Sequence, residues 1–374
     1  MKNVLFIGSY RQSDGWGRAA IDYITSINKT SHNLKISPIY MSRSILSNPS
    51  SEILEIERRH FDHYDVIIQN CLPQFFVNHG HYKNIGLCYL ETKNLQHTGW
   101  IPHMNQMDEM WVSNSLDSLT LRDSNLNSNV GIKNIPIPID IDKFHKTYDP
   151  INIPELHDTF VFYFIGEANI RKNMDALLLA FHREFSTTEP VSLVIKTNKC
   201  DNSSKKVMEQ VQLRINWIKQ HSRIYSRPSF YKGEIVISDY MEDNTLMALH
   251  QECDCFVMPS YGEAYCRPAI DALGFGNQVI ASRNTGLGQV LMDHTGMTGV
   301  SLVGSETTPV LTSDIHDYNA YTSRETWESI NIIELQEAMR KAYNIGKGKT
   351  PPGSQVESLS YDKVATMIDR ILNE

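Results

Sequence analysis

Glu263 and Asp271 stand eight positions apart in the stretch Met258-Pro259-Ser260-Tyr261-Gly262-Glu263-Ala264-Tyr265-Cys266-Arg267-Pro268-Ala269-Ile270-Asp271-Ala272-Leu273-Gly274. An apolar run ends at Pro259-Ser260, a short loop follows, and Pro268 suits the first turn of a helix. Backbone N–H groups at such a helix start make a natural seat for a phosphate. One carboxylate on the loop and one within the helix can face a single ligand, and both accept hydrogen bonds from sugar hydroxyls. The alternative is a Glu263 that caps the helix and an Asp271 that is merely solvated. A second cluster, Gly166-Glu167-Ala168-Asn169-Ile170-Arg171-Lys172-Asn173, precedes the apolar run 176–181. Asn173 is a suitable N-cap. Arg171 offers a planar fork and Lys172 a point charge, placed where a diphosphate meets the C-terminal edge of a sheet. The alternative for this pair is a solvated surface feature.

Two patterns suggest metal and are read otherwise. Asp140-Ile141-Asp142 has the D-x-D form that holds a divalent cation in some sugar transferases, but it is taken as structural. His79 and His81 flank Gly80 with no third ligand nearby in sequence, so no metal site is expected.

The elements that must carry these residues alternate. Residues 4–8 form an apolar strand closed by Gly8, and 16–28 show helical spacing of apolar residues. Further strands are expected at 34–39, 65–69, 85–90, 110–113 and 132–137, with helices at 51–59 and 115–122. The pattern restarts with strand 161–165 and helix 173–185, followed by strands at 191–196, 234–237, 255–258 and 278–281. Residues 145–158, rich in Pro and polar side chains, read as a linker. Residues 307–327 read as an irregular, mobile insertion, and 361–372 as a last helix. Such alternation predicts α/β architecture with parallel sheets covered on both faces. Neither Gly-ended strand opens G-x-G-x-x-G, and no G-x-x-x-x-G-K-[ST] occurs. Dinucleotide oxidoreductases and P-loop enzymes are therefore disfavoured.

At 374 residues the chain has room for about two domains, and 41% hydrophobic with 21% charged residues fits a globular protein. A net charge of −8 argues against nucleic acid as a partner. Six cysteines, of which only Cys253 and Cys255 are close, are not a disulfide scaffold. Reduced thiols, a short apolar start and no run near 20 apolar residues point to a cytoplasmic protein without a membrane span. A peripheral membrane contact stays compatible with that reading.

The two clusters together resemble the family 4-like (group 1) retaining glycosyltransferases of GT-B fold. That family carries E-x7-E after a P-S strand end, and an R-K-N or E-K-G turn ahead of an L-L-x-A-F helix. Here the spacing is E-x7-D, and Ala264-Tyr265-Cys266-Arg267 replaces the usual G-F-G-L. Asp14-Gly15-Trp16-Gly17-Arg18 looks like the family's G-G-x-G-R loop, with Asp14 in place of the first Gly. Tyr89-Leu90-Glu91, then Trp100 and Asp108–Asn114, looks like a subset in which a carboxylate replaces an active-site His. Ile135–Phe144 resembles the segment that ends the family's first domain.

The resemblance implies two Rossmann-like domains facing across a cleft. Residues 1–148 would be the acceptor side, 149–358 the nucleotide-sugar domain, and 359–374 a helix returning to the first. It implies sugar transfer from a nucleotide diphosphate sugar, UDP before GDP, to a hydroxyl of a glycan or other acceptor, with retention and without metal or cofactor. Arg171 and Lys172 would neutralise the diphosphate, and Glu263 would bind donor-sugar hydroxyls. Asp271 would hold the ribose. Gly15 and Gly17 would admit the phosphates, and Ala264, Tyr265 and Cys266 would contact them through the backbone. Glu91 would orient the acceptor or stabilise the developing sugar cation. A nucleotide-sugar 2-epimerase or another GT-B enzyme is the first alternative. A non-catalytic nucleotide-sugar-binding protein is the second.

Overall fold

The computed structural model describes residues 1–41, 46–198, 203–310 and 321–374. The strands are β1 (Asn3–Gly8), β2 (Asn33–Pro38), β3 (Val66–Asn70), β4 (Lys83–Leu87), β5 (Glu109–Val112), β6 (Gly131–Asn134), β7 (Phe160–Ile165), β8 (Val191–Lys196), β9 (Ile235–Ile237), β10 (Cys255–Met258), β11 (Gln278–Ser282), β12 (Val300–Val303), β13 (Ser305–Pro309) and β14 (Thr326–Ile330). The helices are α1 (Gly15–Ile27), α2 (Ser51–Arg58), α3 (Trp100–Met104), α4 (Ser115–Asp123), α5 (Met174–Glu184), α6 (Ser204–Ser222), α7 (Asp243–Glu252), α8 (Arg267–Gly274), α9 (Gly286–His294), α10 (Ile332–Ile345) and α11 (Tyr361–Asn373).

Two six-stranded parallel sheets organise them, ordered β2-β1-β3-β4-β5-β6 and β12-β11-β10-β7-β8-β9. β3, β7, β10 and β11 are buried along their whole length, as strands covered by helices on both faces must be. Each order reverses once. The reversals lie between β1 and β3 in the first sheet and between β7 and β10 in the second. Ligands of open α/β sheets bind beyond the strand C-termini at such a reversal. In the second sheet that edge carries the Arg171 turn, after β7, and the Glu263 loop, after β10.

The chain divides into two compact units. The first comprises Met1–Ile141, Pro309–Thr326 and Glu357–Glu374, and the second Asp142–Thr308 and Trp327–Val356. The expected boundaries at 148/149 and 358/359 lie close to the changes of unit at 141/142 and 356/357, and Pro309–Thr326 joins the first unit as well. Residues 145–158 are not a free linker. The N–H groups of Tyr148 and Ile151 donate to Gln251 and Glu252 at the end of α7, at 3.3 and 2.5 Å, and Leu156 is buried. In the stretch 307–327, residues 311–320 lie outside the described residues, 307–309 and 326–327 belong to β13 and β14, and 321–325 are irregular. α11 packs on α1, where the Tyr361 hydroxyl donates to Asp22 at 2.7 Å.

Among the described residues no helix is long and apolar enough to cross a membrane. Cys71, Cys88, Cys253, Cys255 and Cys266 are buried free thiols, and Cys200 lies outside the described residues.

Candidate active site

Two asparagines shape the turn after β7. Asn169 accepts from the Lys172 N–H at 3.1 Å and closes a short 3-10 turn over Ile170–Lys172. Asn173, at φ 54°, caps α5 by accepting from the Ala176 N–H at 3.3 Å. The left-handed conformation suits Asn better than most residues. The chain therefore reverses within a few residues and sends Arg171 and Lys172 toward the β10 loop. The Arg171 carbonyl accepts from the Tyr261 N–H at 2.8 Å, which ties the two loops at the backbone.

Glu263 meets both cations. Arg171 donates to the Gly262 carbonyl at 2.7 Å and to Glu263 Oε2 at 3.2 Å, and Lys172 donates to the same Oε2. Among the described residues Oε1 takes no hydrogen bond. Glu263 is buried. Burial raises its carboxyl, but the charges of Lys172 and Arg171 outweigh that and hold it below its ordinary 4.5. The loop is braced from behind by the start of α9, where the Leu287 N–H donates to the Glu263 carbonyl at 2.8 Å. Gly286 is needed there, because a Cβ would lie 2.6 Å from the Ala264 carbonyl oxygen and 2.8 Å from that of Glu263.

Ala264, Tyr265 and Cys266 complete the loop and are buried. Cys266, at φ 61°, is the N-cap of α8 and supplies no side-chain cap. Glu263 thus does not cap the helix. Burial pushes the Cys266 thiol up to about 12, so it is no thiolate nucleophile.

Asp271 is not solvated either. It is buried in α8 and accepts from Lys143 Nζ at 2.5 Å, with Arg267 4.0 Å away. Burial opposes its charge, yet Lys143 and Arg267 keep it below its ordinary 3.8. Lys143 is delivered by its neighbour Phe144, which packs so closely on Gly274 that a Cβ there would lie 2.1 Å from the ring. Glu263 faces Arg171 and Lys172, whereas Asp271 faces Lys143, and the two share no partner.

In the first unit, Asp14 caps α1 and accepts from the Gly17 N–H at 2.9 Å. Gly17 sits where a Cβ would lie 1.9 Å from the Gln12 carbonyl oxygen, while nothing lies within 4 Å of one at Gly15. The amide of Gly17, one of the two glycines expected to admit the phosphates, thus already donates to a carboxylate. Trp16 packs on Tyr89 with ring centroids 4.5 Å apart. This joins the Gly15–Gly17 loop to the Tyr89-Leu90-Glu91 segment.

Glu91 is half-buried and adds its negative field to Asp117. Asp117 is the residue that sequence reasoning missed. It is buried, bonds to the Leu90 backbone, and is pushed well above 3.8 by burial and then by Glu91. Perturbed carboxyls of this kind concentrate at functional sites. The available signal was Asn114-Ser115-Leu116-Asp117, a cap with an acid at the third helical position; Asn114 does accept from the Asp117 N–H at 2.9 Å.

Among the described residues no group of three or more His, Cys, Asp or Glu is placed to hold a metal ion. A concavity of about 500 Å³ is lined by residues that include Glu184, Arg340 and Ile345. It lies at the far end of α5 from Lys172.

The model of the family "Glycosyl transferases group 1" matches residues 230–306, the segment that contains Glu263 and Asp271. No curated protein matches the sequence. Among solved structures, sucrose-phosphate synthase from Thermosynechococcus elongatus superposes with TM-score 0.62 at 12% identity, covering 100% of this chain and 98% of its own. An alpha,alpha-trehalose-phosphate synthase (UDP-forming) from Burkholderia xenovorans, in complex with glucose-6-phosphate, gives 0.65 at 11% identity, covering 100% of both chains. A trehalose-6-phosphate structure from E. coli, bound with UDP-2-fluoro glucose, gives 0.59 at 10% identity, covering 99% and 95%. At these identities the likeness is one of fold.

Proposed function

We propose that this chain, a group 1 glycosyltransferase of GT-B fold, moves a sugar from a nucleoside diphosphate sugar to an acceptor hydroxyl with retention of configuration. The observation that carries the reading is the convergence of Arg171 and Lys172 on Glu263 at the reversal of the second sheet. Breaking the bond between the sugar and the diphosphate leaves negative charge on the departing phosphate. Two cations already fixed in place stabilise that charge without reorganising, which is often the largest catalytic term. Glu263 has a double part. Its Oε2 holds the cations, and its Oε1 is left for a sugar hydroxyl.

Arg171 and Lys172 do the work that a divalent ion does elsewhere, so transfer should need no metal. UDP is the proposed base, a reading supported by the words "UDP-forming" and "UDP-2-fluoro glucose" in the names of two structural relatives. The acceptor side is assigned to the first unit. There Glu91 orients the hydroxyl or stabilises the sugar cation, and Asp117, driven toward its neutral form, holds the Leu90–Glu91 backbone. The ribose assignment of Asp271 competes with its bond to Lys143.

Calorimetry with UDP tests the donor site. Arg171→Ala and Lys172→Ala should each weaken binding by about tenfold or more, the equivalent of a charged hydrogen bond at roughly 1.5–3 kcal/mol. Unchanged affinity in both variants removes the assignment. Activity that vanishes in EDTA and returns with Mn²⁺ or Mg²⁺ removes the metal-free part.

A further inference from the structure

The helix α6 is apolar on two faces. Val207, Val211, Ile215 and Ile218 are buried against the second unit. On the other side Leu213 is 70% exposed and Trp217 46% exposed. The turn after the helix adds Ile224 at 41% and Phe230 at 52%. Tyr231 pins that turn to the helix end. Its hydroxyl accepts from the N–H groups of Ile224 and Tyr225 at 2.9 and 3.1 Å and shares a hydrogen bond with Ser222 Oγ at 2.8 Å. Four large apolar side chains are thus held at the surface, which ordinary solvated helices avoid.

The charge around them is as distinctive. Between Ser203 and Gly233 the sequence has seven Lys and Arg and one acid, Glu209, in a chain of net charge −8. Arg214 is paired with Asp175 and Lys219 with Glu234. Lys205, Lys206, Arg223 and Arg227 are exposed and make no ion pair among the described residues. Cations beside Leu213 and Trp217 on α6, and beside Ile224 and Phe230 in the segment after it, match the headgroup zone of an anionic bilayer in both charge and polarity.

We propose that this face of the second unit docks on an anionic lipid membrane. Leu213, Trp217, Ile224 and Phe230 enter the boundary between headgroups and acyl chains, and the free cations meet lipid phosphates. A second copy of the chain, pairing through the same patch, would set basic against basic. A nucleic acid would meet the cations but gain little from Leu213 and Ile224.

The test is co-sedimentation of the full chain with vesicles of phosphatidylcholine containing about one third phosphatidylglycerol, against vesicles of phosphatidylcholine alone. The chain should bind the anionic vesicles, less so at high salt, and leave the neutral ones. Leu213→Ser with Trp217→Ser, and separately Lys205→Glu with Lys206→Glu, should each lower binding by about tenfold or more. The charge-reversal pair leaves every apolar contact in place, so it stands as a test even if the first pair unfolds. No binding to anionic vesicles, equal binding to neutral ones, or folded variants that bind like the parent overturn the proposal. So does a chain that ignores vesicles but self-associates, or binds single-stranded RNA, through these residues.

Discussion

Glu263 and Asp271 belong to one sequence motif and are both buried carboxylates below their ordinary pKa, yet they lie on different elements and take different partners. Glu263 sits on a loop at the sheet's C-terminal edge, against two cations from a neighbouring strand's turn. Asp271 sits inside α8, against a lysine from the segment that leads into the second unit. The first arrangement gathers charge where a ligand can meet it. The second neutralises a lysine that Phe144 has already committed to the interior. Motif membership fixes the spacing of two acids but not their partners, because each takes its partner from a different part of the chain.

The largest effect should come from Asp271→Asn, which leaves Lys143 buried without a counter-charge. Removing one partner of a buried ion pair costs about 3–5 kcal/mol, measurable by urea unfolding at neutral pH. Replacing both partners together, Asp271→Leu with Lys143→Met, should recover much of the loss. Its pH dependence has a definite sign. The folded carboxyl lies below 3.8, so its contribution is complete above that value and is lost as pH falls through the lower folded value. Asp271→Asn should therefore flatten the acid side of the stability profile. If the variant is as stable as the parent but binds UDP far more weakly, Asp271 holds the ribose after all and the contrast with Glu263 collapses.

Gly286→Ala sharpens the comparison from the other side. The added methyl meets two backbone carbonyls of the Glu263 loop at less than 3 Å, and overpacking of this kind costs about 1–3 kcal/mol. Because it displaces the Glu263 loop and not α8, sugar transfer should fall by more than the stability loss explains. A variant with normal kcat and a normal melting temperature would mean that the loop is free to shift.

The smallest effect belongs to Arg267→Ala. Arg267 is 4.0 Å from Asp271 and its side chain remains 28% exposed. A pair of that kind is worth about 0–1 kcal/mol, so unfolding should barely change. A loss as large as that of Asp271→Asn would make Arg267, not Lys143, the partner that matters.

The sequence carried most of the fold because buried parallel strands announce themselves locally. Residues 191–196 and 255–258 coincide with β8 and β10, being apolar runs bounded by polar residues and turns. α6 escaped for a physical reason. Apolar residues at 207, 211, 215 and 218 alternate with Leu213 and Trp217 on the opposite side, so no single stripe stands out at the helical period. The feature that hid the helix is the one that marks its surface as a docking face. Asp117 was legible as the acid three residues after the Asn114 cap but not as a buried acid, since burial depends on neighbours far along the chain.

By itself, then, the sequence determined that Arg171-Lys172 and Glu263 lie on strand-to-helix turns, because turn chemistry and apolar runs are local. Only the tertiary structure decided that these turns meet. That follows from β7 pairing with β10 across 90-odd intervening residues, a choice made by the burial of whole strand faces. The tertiary structure likewise gave Asp271 its partner. Lys143, 128 residues away, has no local signal that could announce the bond, and only the packing of Phe144 on Gly274 brings the two charges together.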